Sequence, residues 1–324
     1  MPAPPPGLEA GGTPTFAVVI PAYEAALTIS AAIESLRAQT LAPTEVLVCD
    51  DGSNDDLVGA LEPFGGFVRL LRGEHRGVAA ARNRLLEAAT ADFVVPLDAD
   101  DVYAPTRLQR LAELAAARPD LDLLNTDATF VSDGRPAGRF SERTPFAVEH
   151  QAEAILDRCF LICPAMRRTR LLEIGGYDES LRTAEDWDVC LRLILTGSAA
   201  GSIPEPLLEY RLGGESLTAR RSETLAARVS MLEKAAATKG LDPTTRAAAT
   251  QAVSHHRARA LEQAAIEAVG EGDPDARRHL LAVARSRDVA GRARLGAAIT
   301  SLAPSRLRRL AGATLSGSTG RPRS

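Results

Sequence analysis

The stretch Phe93-Val94-Val95-Pro96-Leu97-Asp98-Ala99-Asp100-Asp101 is an apolar run broken off by three carboxylates. Its first five residues do not alternate apolar with polar, so the strand they predict is buried on both faces. Outward from it the pattern repeats. Phe16–Ile20 (FAVVI) ends at Pro21, Glu45–Cys49 (EVLVC) is stopped by Asp50-Asp51-Gly52-Ser53, and Phe67–Leu71 is another such run. Helical spacing fills the gaps, in Leu27–Ala38 with Thr28 or Ser30 placed to cap it, in the shorter Asp55–Leu61, and in the Ala-rich Gly77–Ala89. Strands buried on both faces and alternating with helices predict an α/β domain, its mostly parallel sheet flanked by helices.

Ligands of open parallel sheets bind beyond the carboxyl ends of the strands. Three polar clusters fall at such ends: Pro21-Ala22-Tyr23-Glu24, Asp50-Asp51-Gly52-Ser53 and Asp98-Ala99-Asp100-Asp101. One acidic turn would be unremarkable. Two acidic turns and a tyrosine on one rim predict a site.

Further on, Thr106–Ala117 reads as a helix, Asp122–Val131 as a strand, and Gly134–Gln151 as a polar loop. Gly175-Gly176-Tyr177 is a turn. Ala184-Glu185-Asp186-Trp187-Asp188 opens the helical Val189–Leu195, and Leu207–Leu212 is a last strand after Pro204 and Pro206. From Ser222 the chain is Ala/Arg/Leu-rich and helical, with breaks near Gly240–Pro243 and Gly270–Pro274. These signals predict three regions: a disordered tail over 1–14 without a charged-then-apolar leader, a catalytic-type domain over 15–220, and a helical extension over 221–324.

Among the 324 residues 45% are hydrophobic and 25% charged, which excludes a wholly disordered chain. No apolar stretch approaches the roughly 20 residues that span a bilayer. Cys49, Cys159, Cys163 and Cys190 form no CxxC pair or disulfide framework, which predicts reduced thiols and a cytoplasmic location. The net charge of −4 is unevenly spread: from Arg277 onward eleven arginines face one acid, Asp288. The acidic remainder argues against a nucleic-acid groove.

Asp98-x-Asp100 places two carboxylates past a strand, where hard cations such as Mg²⁺ or Mn²⁺ take one or two carboxylates plus substrate phosphates. A lone DxD is more often a surface turn; strand context and Asp51 on the same rim reverse that weighting. A carboxylate of the Asp50–Asp55 turn serves either as a helix cap or as acceptor of a pyrimidine N–H, and Tyr23 either stacks on that base or is a rim aromatic. Arg82 is either an exposed helix arginine or a partner of a diphosphate or the DxD. Glu185-Asp186 fits N-terminal capping of a helix, or a general base for an acceptor hydroxyl. The sequence contains no GxxxxGK[ST], HExxH or GxSxG, and its five histidines show no catalytic or zinc spacing, which predicts surface positions.

Taken in order, VVIPAYE (18–24), VCDDGSND (48–55), GVAAARN (77–83), PLDADD (96–101), GGYDE (175–179) and AEDWDVCLRL (184–193) resemble the family 2 glycosyltransferases of the GT-A fold. The resemblance covers about residues 15–220 and implies a Rossmann-like sheet and an inverting transfer from a nucleotide-diphosphate sugar, UDP- or TDP-linked, aided by Mg²⁺ or Mn²⁺. The acceptor implied is a carbohydrate or a lipid-linked glycan of a cell-envelope polysaccharide or glycolipid. Carried over by motif, Pro21, Tyr23, Glu24 and Asp51 match nucleoside-binding positions. Asp100 matches the metal ligand, with Asp98 beside it nearer the ribose. Arg82 and Asn83 match a donor-side segment. Asp186 matches the general base, with Glu185 second to it or orienting the acceptor. Many members carry a histidine after a Tyr-Arg pair; here Tyr210-Arg211-Leu212-Gly213-Gly214-Glu215-Ser216 has none, and Glu215 is the one substitute at hand.

Two other functions are weighed. A sugar-nucleotide pyrophosphorylase needs a Gly-rich basic loop after the first strand, which Pro21–Glu24 does not supply. A non-catalytic nucleotide-sugar-binding module on a degenerate scaffold is disfavoured by the acids at 51, 98, 100 and 186. The stretch 291–310, apolar among arginines and interrupted by Pro304, is either a helix packed on the catalytic domain or a peripheral contact with the cytoplasmic membrane face.

Overall fold

A computed structural model describes residues 12–212, 221–238 and 240–302. The chain divides into two compact units, Met1–Gly214 and Glu215–Ser324.

Unit 1 opens with β1 (Phe16–Ala22), α1 (Ile29–Arg37), β2 (Glu45–Asp50), α2 (Leu57–Leu61), β3 (Arg69–Arg72), α3 (Val78–Ala88) and β4 (Phe93–Pro96). It continues with β5 (Val102–Tyr103), α4 (Arg107–Ala117), β6 (Leu123–Ser132), β7 (Arg135–Arg139), α5 (Phe140–Arg143) and α6 (Gln151–Asp157). It closes with β8 (Ala165–Arg167), α7 (Arg168–Glu173), α8 (Glu185–Leu195) and β9 (Ala200–Leu212). The sheet order is β3-β2-β1-β4-β8-β6-β9-β5, with β7 paired to β6. β3, β2, β1 and β4 are mutually parallel. The other half is mixed, because β8 enters antiparallel between β4 and β6 while β6 and β9 run parallel.

The non-alternating runs behave as their patterns require. β1 sits between β2 and β4, and Phe16, Ala17, Val18, Val19 and Ile20 are each at most 1% exposed. The chain winds from β1 to β2 and β3 on one side, then returns to place β4 on the other. β1 and β4 therefore flank a topological switch point, where the loops after their carboxyl ends diverge and leave a crevice. The registers Ala22↔Asp50 and Val19↔Pro96 bring all three polar clusters to that end.

Four local expectations are corrected. The third strand is Arg69–Arg72, not Phe67–Leu71. Thr28 takes the N-cap position of α1, but its hydroxyl donates to the Ala25 carbonyl and neither it nor Ser30 caps the helix. The polar stretch 134–151 is not all loop: it pairs as β7 and turns through α5, because Asp127 reaches across to accept from Ser141 N at 3.0 Å and Ser141 Oγ at 2.6 Å. The last strand begins at Ala200, and its registers with β6 shift around Pro204 and Pro206 because a proline lacks the N–H a regular ladder needs.

Unit 2 contains α9 (Arg221–Ala236), α10 (Pro243–Glu271), α11 (Ala276–Arg285) and α12 (Gly291–Leu302). The predicted breaks carry their own signals. Asp242 caps α10 by accepting from Thr244 N at 2.9 Å and Thr245 N at 3.0 Å, with Pro243 in the first turn, and Gly272 ends it in the left-handed conformation. A small core of Ala265, Val269, Leu280, Val283, Val289 and Ala297 holds α10, α11 and α12 together. His256 is buried on α10, against the surface position its sequence context predicts. Residues 1–11 of the predicted tail, Glu215, and the end of the 291–310 stretch lie outside the described residues.

Candidate functional site

Three loops and two helix starts build the crevice. After β2, Asp50 turns the chain by accepting from Ser53 N at 2.9 Å. Gly52 occupies φ +79 with a Cβ position only 2.7 Å from the His75 backbone nitrogen, so the turn admits no side chain there. Glu24, itself left-handed at φ 51, accepts from Asn54 N at 2.8 Å, while its own N–H donates to Ser53 Oγ at 3.0 Å. Glu24 thus ties the β1 loop to the β2 loop. Pro21, the next-to-last residue of β1, lies opposite Cys49 and is partly exposed on the rim.

Asp51 is only 4% exposed. Its Oδ1 accepts from Arg76 N at 3.0 Å and its Oδ2 from Gly77 N at 2.8 Å, which fixes the start of α3. His75 Nδ1 lies 2.9 Å from Asp51 Oδ2 and 3.0 Å from the Asp51 carbonyl oxygen. Both neighbours are acceptors, so Nδ1 carries the proton. The imidazole packs against Tyr23 with ring centroids 4.2 Å apart and planes tilted by 35°. Of the two sequence readings for this turn, the structure shows the structural role of Asp51 directly: its carboxylate is mostly engaged by protein N–H groups. Sequence reasoning missed His75 because its place beside Tyr23 is created by the fold, not by spacing along the chain.

Arg82 on α3 is the hub. It is 6% exposed, its Nη2 donates to Asp98 Oδ1 at 2.8 Å, and its Nη1 donates to Glu185 Oε1 at 2.7 Å. The guanidinium also lies 5.5 Å over the Tyr177 ring. Burial opposes its charge, but Asp98 and Glu185 prevail and hold it well above its ordinary pKa. Glu185 responds the other way: burial lifts its carboxyl above the usual range, against the pull of Arg82 and with the help of Asp186. One side chain therefore joins three motifs that lie 103 residues apart at their extremes.

Glu185 and Asp186 are adjacent but point apart. Ala184 adopts φ 66 before α8, an unusual conformation for a residue with a Cβ, and redirects the chain into the helix. Glu185 then turns inward onto Arg82. Asp186 remains exposed, with Oδ1 accepting from Trp187 N at 2.7 Å. Of the pair, the exposed carboxylate is the one a substrate hydroxyl can reach.

Asn83 faces the Gly175–Glu179 turn. Its Oδ1 accepts from Tyr177 N at 2.7 Å, and its Nδ2 donates to Tyr177 O at 2.9 Å and Glu179 Oε1 at 3.0 Å. From the other side Arg192 donates to the Ile174 and Gly176 carbonyls. Asn83 is thus the clamp that holds the Gly175–Glu179 turn against α3.

Asp98 is partly exposed, Asp100 exposed and Asp101 1% exposed. Partial desolvation within the turn, followed by the Asp98 charge, lifts the Asp100 carboxyl above its usual value. Asp101 accepts from Arg211 N at 2.8 Å, tying this turn to the end of β9. Burial, then Asp98, pushes its carboxyl up to about 8. For a cation, the donor set is two hard carboxylate groups, Asp98 and Asp100. No group of three His, Cys, Asp or Glu side chains is placed to hold a metal ion among the described residues. Two carboxylates suit Mg²⁺ or Mn²⁺ whose remaining positions are completed by water and substrate phosphate.

Residues 17–174 match the family described as Glycosyl transferase family 2. The succinoglycan biosynthesis protein ExoO of Rhizobium meliloti is 32% identical over 239 residues, 66% of this chain and 65% of that protein. The UDP-Glc:alpha-D-GlcNAc-diphosphoundecaprenol beta-1,3-glucosyltransferase WfgD of Escherichia coli is 40% identical over 94 residues, 28% of this chain and 37% of that protein. The chain spans less than two thirds of the length of either relative. S. aureus TarS 1-349 in complex with UDP-GlcNAc superposes with a TM-score of 0.66 at 19% identity, covering 93% of this chain and 88% of that one. The mannosyltransferase PcManGT from Pyrobaculum calidifontis, in complex with GDP-Man and Mn²⁺, gives 0.59 at 21% identity, covering 95% and 86%. These structures share the fold of this chain.

Proposed function

Because the chain belongs to glycosyltransferase family 2, we propose that it transfers a sugar from a nucleotide-diphosphate sugar to an acceptor hydroxyl with inversion at the anomeric carbon. The observation that carries this reading is the Arg82 bridge, which joins Asp98 on the donor rim to Glu185 beside Asp186. It sets a donor-side carboxylate pair and an exposed carboxylate within one site.

The Tyr23–His75 platform takes the face of the base, and the Asp51 turn lies against its edge. UDP is the favoured nucleotide: WfgD is named for UDP-Glc and TarS is seen with UDP-GlcNAc. Asp100 and Asp98 would hold a divalent cation on the donor side of the site. When bound, that cation supplies positive charge to the departing diphosphate. Arg82 keeps Asp98 oriented and holds Glu185 inward. Asp186, left exposed, accepts the proton of the attacking acceptor hydroxyl on the face opposite the leaving group. Glu185 is paired with Arg82, so its part is to fix α8 and aim Asp186.

The names of relatives favour a glycan acceptor of a cell-surface polysaccharide, and WfgD's diphosphoundecaprenol acceptor favours a lipid-linked one. No helix among the described residues is long and apolar enough to cross a membrane, so a lipid-linked acceptor would be met by peripheral contact. The test is transfer from α-linked UDP-sugars to a panel of oligosaccharide and lipid-linked acceptors, with product configuration read by NMR. A β-linked product is expected; an α-linked product refutes inversion.

A further inference from the structure

We propose that α12 is a docking helix whose outward face, Leu295 and Ile299, seats on a bilayer surface carrying anionic phospholipid. On α12 the inner face is packed: Ala297 is 1% exposed, Thr300 8% and Ser301 3%, with Ala297 in the core shared with Leu280, Val283 and Val289. Leu295 and Ile299 lie on the other side, 63% and 62% exposed. They are four residues apart, so they stand one above the other on one helix face, and the exposed Arg292 precedes Leu295 by three on that face. Among the described residues only the inner face of α12 is covered.

Single exposed leucines are ordinary. What selects a membrane is Arg292 on the same face and the basic charge of this end of the chain. Arg277, Arg278 and Arg285 are exposed on the packed neighbour α11. Asp288, the one acid from Arg277 onward, is engaged with Arg257 at 3.5 Å. The sequence after residue 302 adds five arginines and no acid. Guanidinium groups beside exposed apolar side chains suit the headgroup region, where phosphates meet the arginines and acyl chains receive Leu and Ile. Over its described residues α12 is 12 residues long, against the roughly 20 that span a bilayer, and Pro304 follows it in the sequence, so the proposed seating is in the interface plane. This inference does not rest on the catalytic assignment.

The test is co-sedimentation of the full chain with vesicles of phosphatidylcholine alone and of phosphatidylcholine with phosphatidylglycerol, alongside the Leu295→Glu/Ile299→Glu variant. Circular dichroism should show the variant as helical as the wild type, because neither side chain packs inward. Expected is binding to the anionic vesicles, weakened by salt, with a loss on the order of 100-fold in the variant. Absence of wild-type binding, or equal binding by the variant, overturns the proposal. So does a wild type that light scattering shows to be a dimer while the variant is a monomer, since the face would then be covered by a second copy. Greater protease sensitivity of residues 303–324 in the lipid-free variant than in the wild type also overturns it, since those residues would be the occupant.

Discussion

Replacing Arg82 with Ala is the most informative perturbation of unit 1. The guanidinium is 6% exposed and donates to carboxylates that are 31% and 11% exposed on their side chains. Its removal leaves Glu185 buried without its cation and beside Asp98 and Asp186. Removing one partner of a buried ion pair costs about 3–5 kcal/mol, a large part of the stability of an ordinary domain. The single tryptophan of the chain, Trp187, is buried two residues after Glu185, so its fluorescence reports unfolding of this unit and not of unit 2. Guanidinium denaturation followed at Trp187 should show the full loss for Arg82→Ala. Glu185→Gln in the Arg82→Ala background should restore part of it, giving a coupling of about 1–3 kcal/mol in a double-mutant cycle. A loss below about 1 kcal/mol, as for an exposed ion pair, or an additive cycle, would refute the hub assigned to Arg82.

Asn83→Ala strips three hydrogen bonds from the 175–179 turn, so it should lower stability by about 2–3 kcal/mol in the same Trp187 assay while leaving UDP affinity within twofold; a selective loss of UDP affinity would return Asn83 to the donor site. His75→Ala removes half of the ring pair beside Asp51 and should weaken UDP binding about tenfold, measured by calorimetry, with a smaller loss for His75→Phe. Asp186→Asn keeps the shape of the first α8 turn and removes the proton acceptor, so kcat should fall by about 10²–10⁴ with donor KM little changed; an unaltered kcat would reassign the base.

How far the sequence could be read follows from the kind of interaction involved. The parallel half of the sheet was legible because burial on both faces leaves unbroken apolar runs, and the acidic turns at their ends marked the rim. β8 was not legible: three residues, Ala165–Arg167, carry no period, and only their pairing with Phe93, Val94, Leu123 and Leu124 makes a strand of them. β9 was half hidden because Pro204 and Pro206 interrupt its pattern. In the site, residue identities were readable but their partners were not. Asp51 and Asn83 look alike as polar candidates, yet the fold spends their hydrogen-bonding capacity on the α3 start and the 175–179 turn. In sequence only the motif ranks Asp186 above Glu185; the left-handed Ala184 and the reach of Arg82 separate an inward carboxylate from an exposed one. His75 carried no motif, since its partners Tyr23 and Asp51 come from two other loops.

The central claim, that this rim is a metal-assisted nucleotide-sugar site, is tested most directly by titrating UDP into the wild type and Asp100→Ala by calorimetry, each with Mn²⁺ and with EDTA. Binding to the wild type in Mn²⁺ should fall at least about tenfold, or 1.4 kcal/mol, in EDTA and in the variant. Equal UDP binding under all four conditions would contradict it.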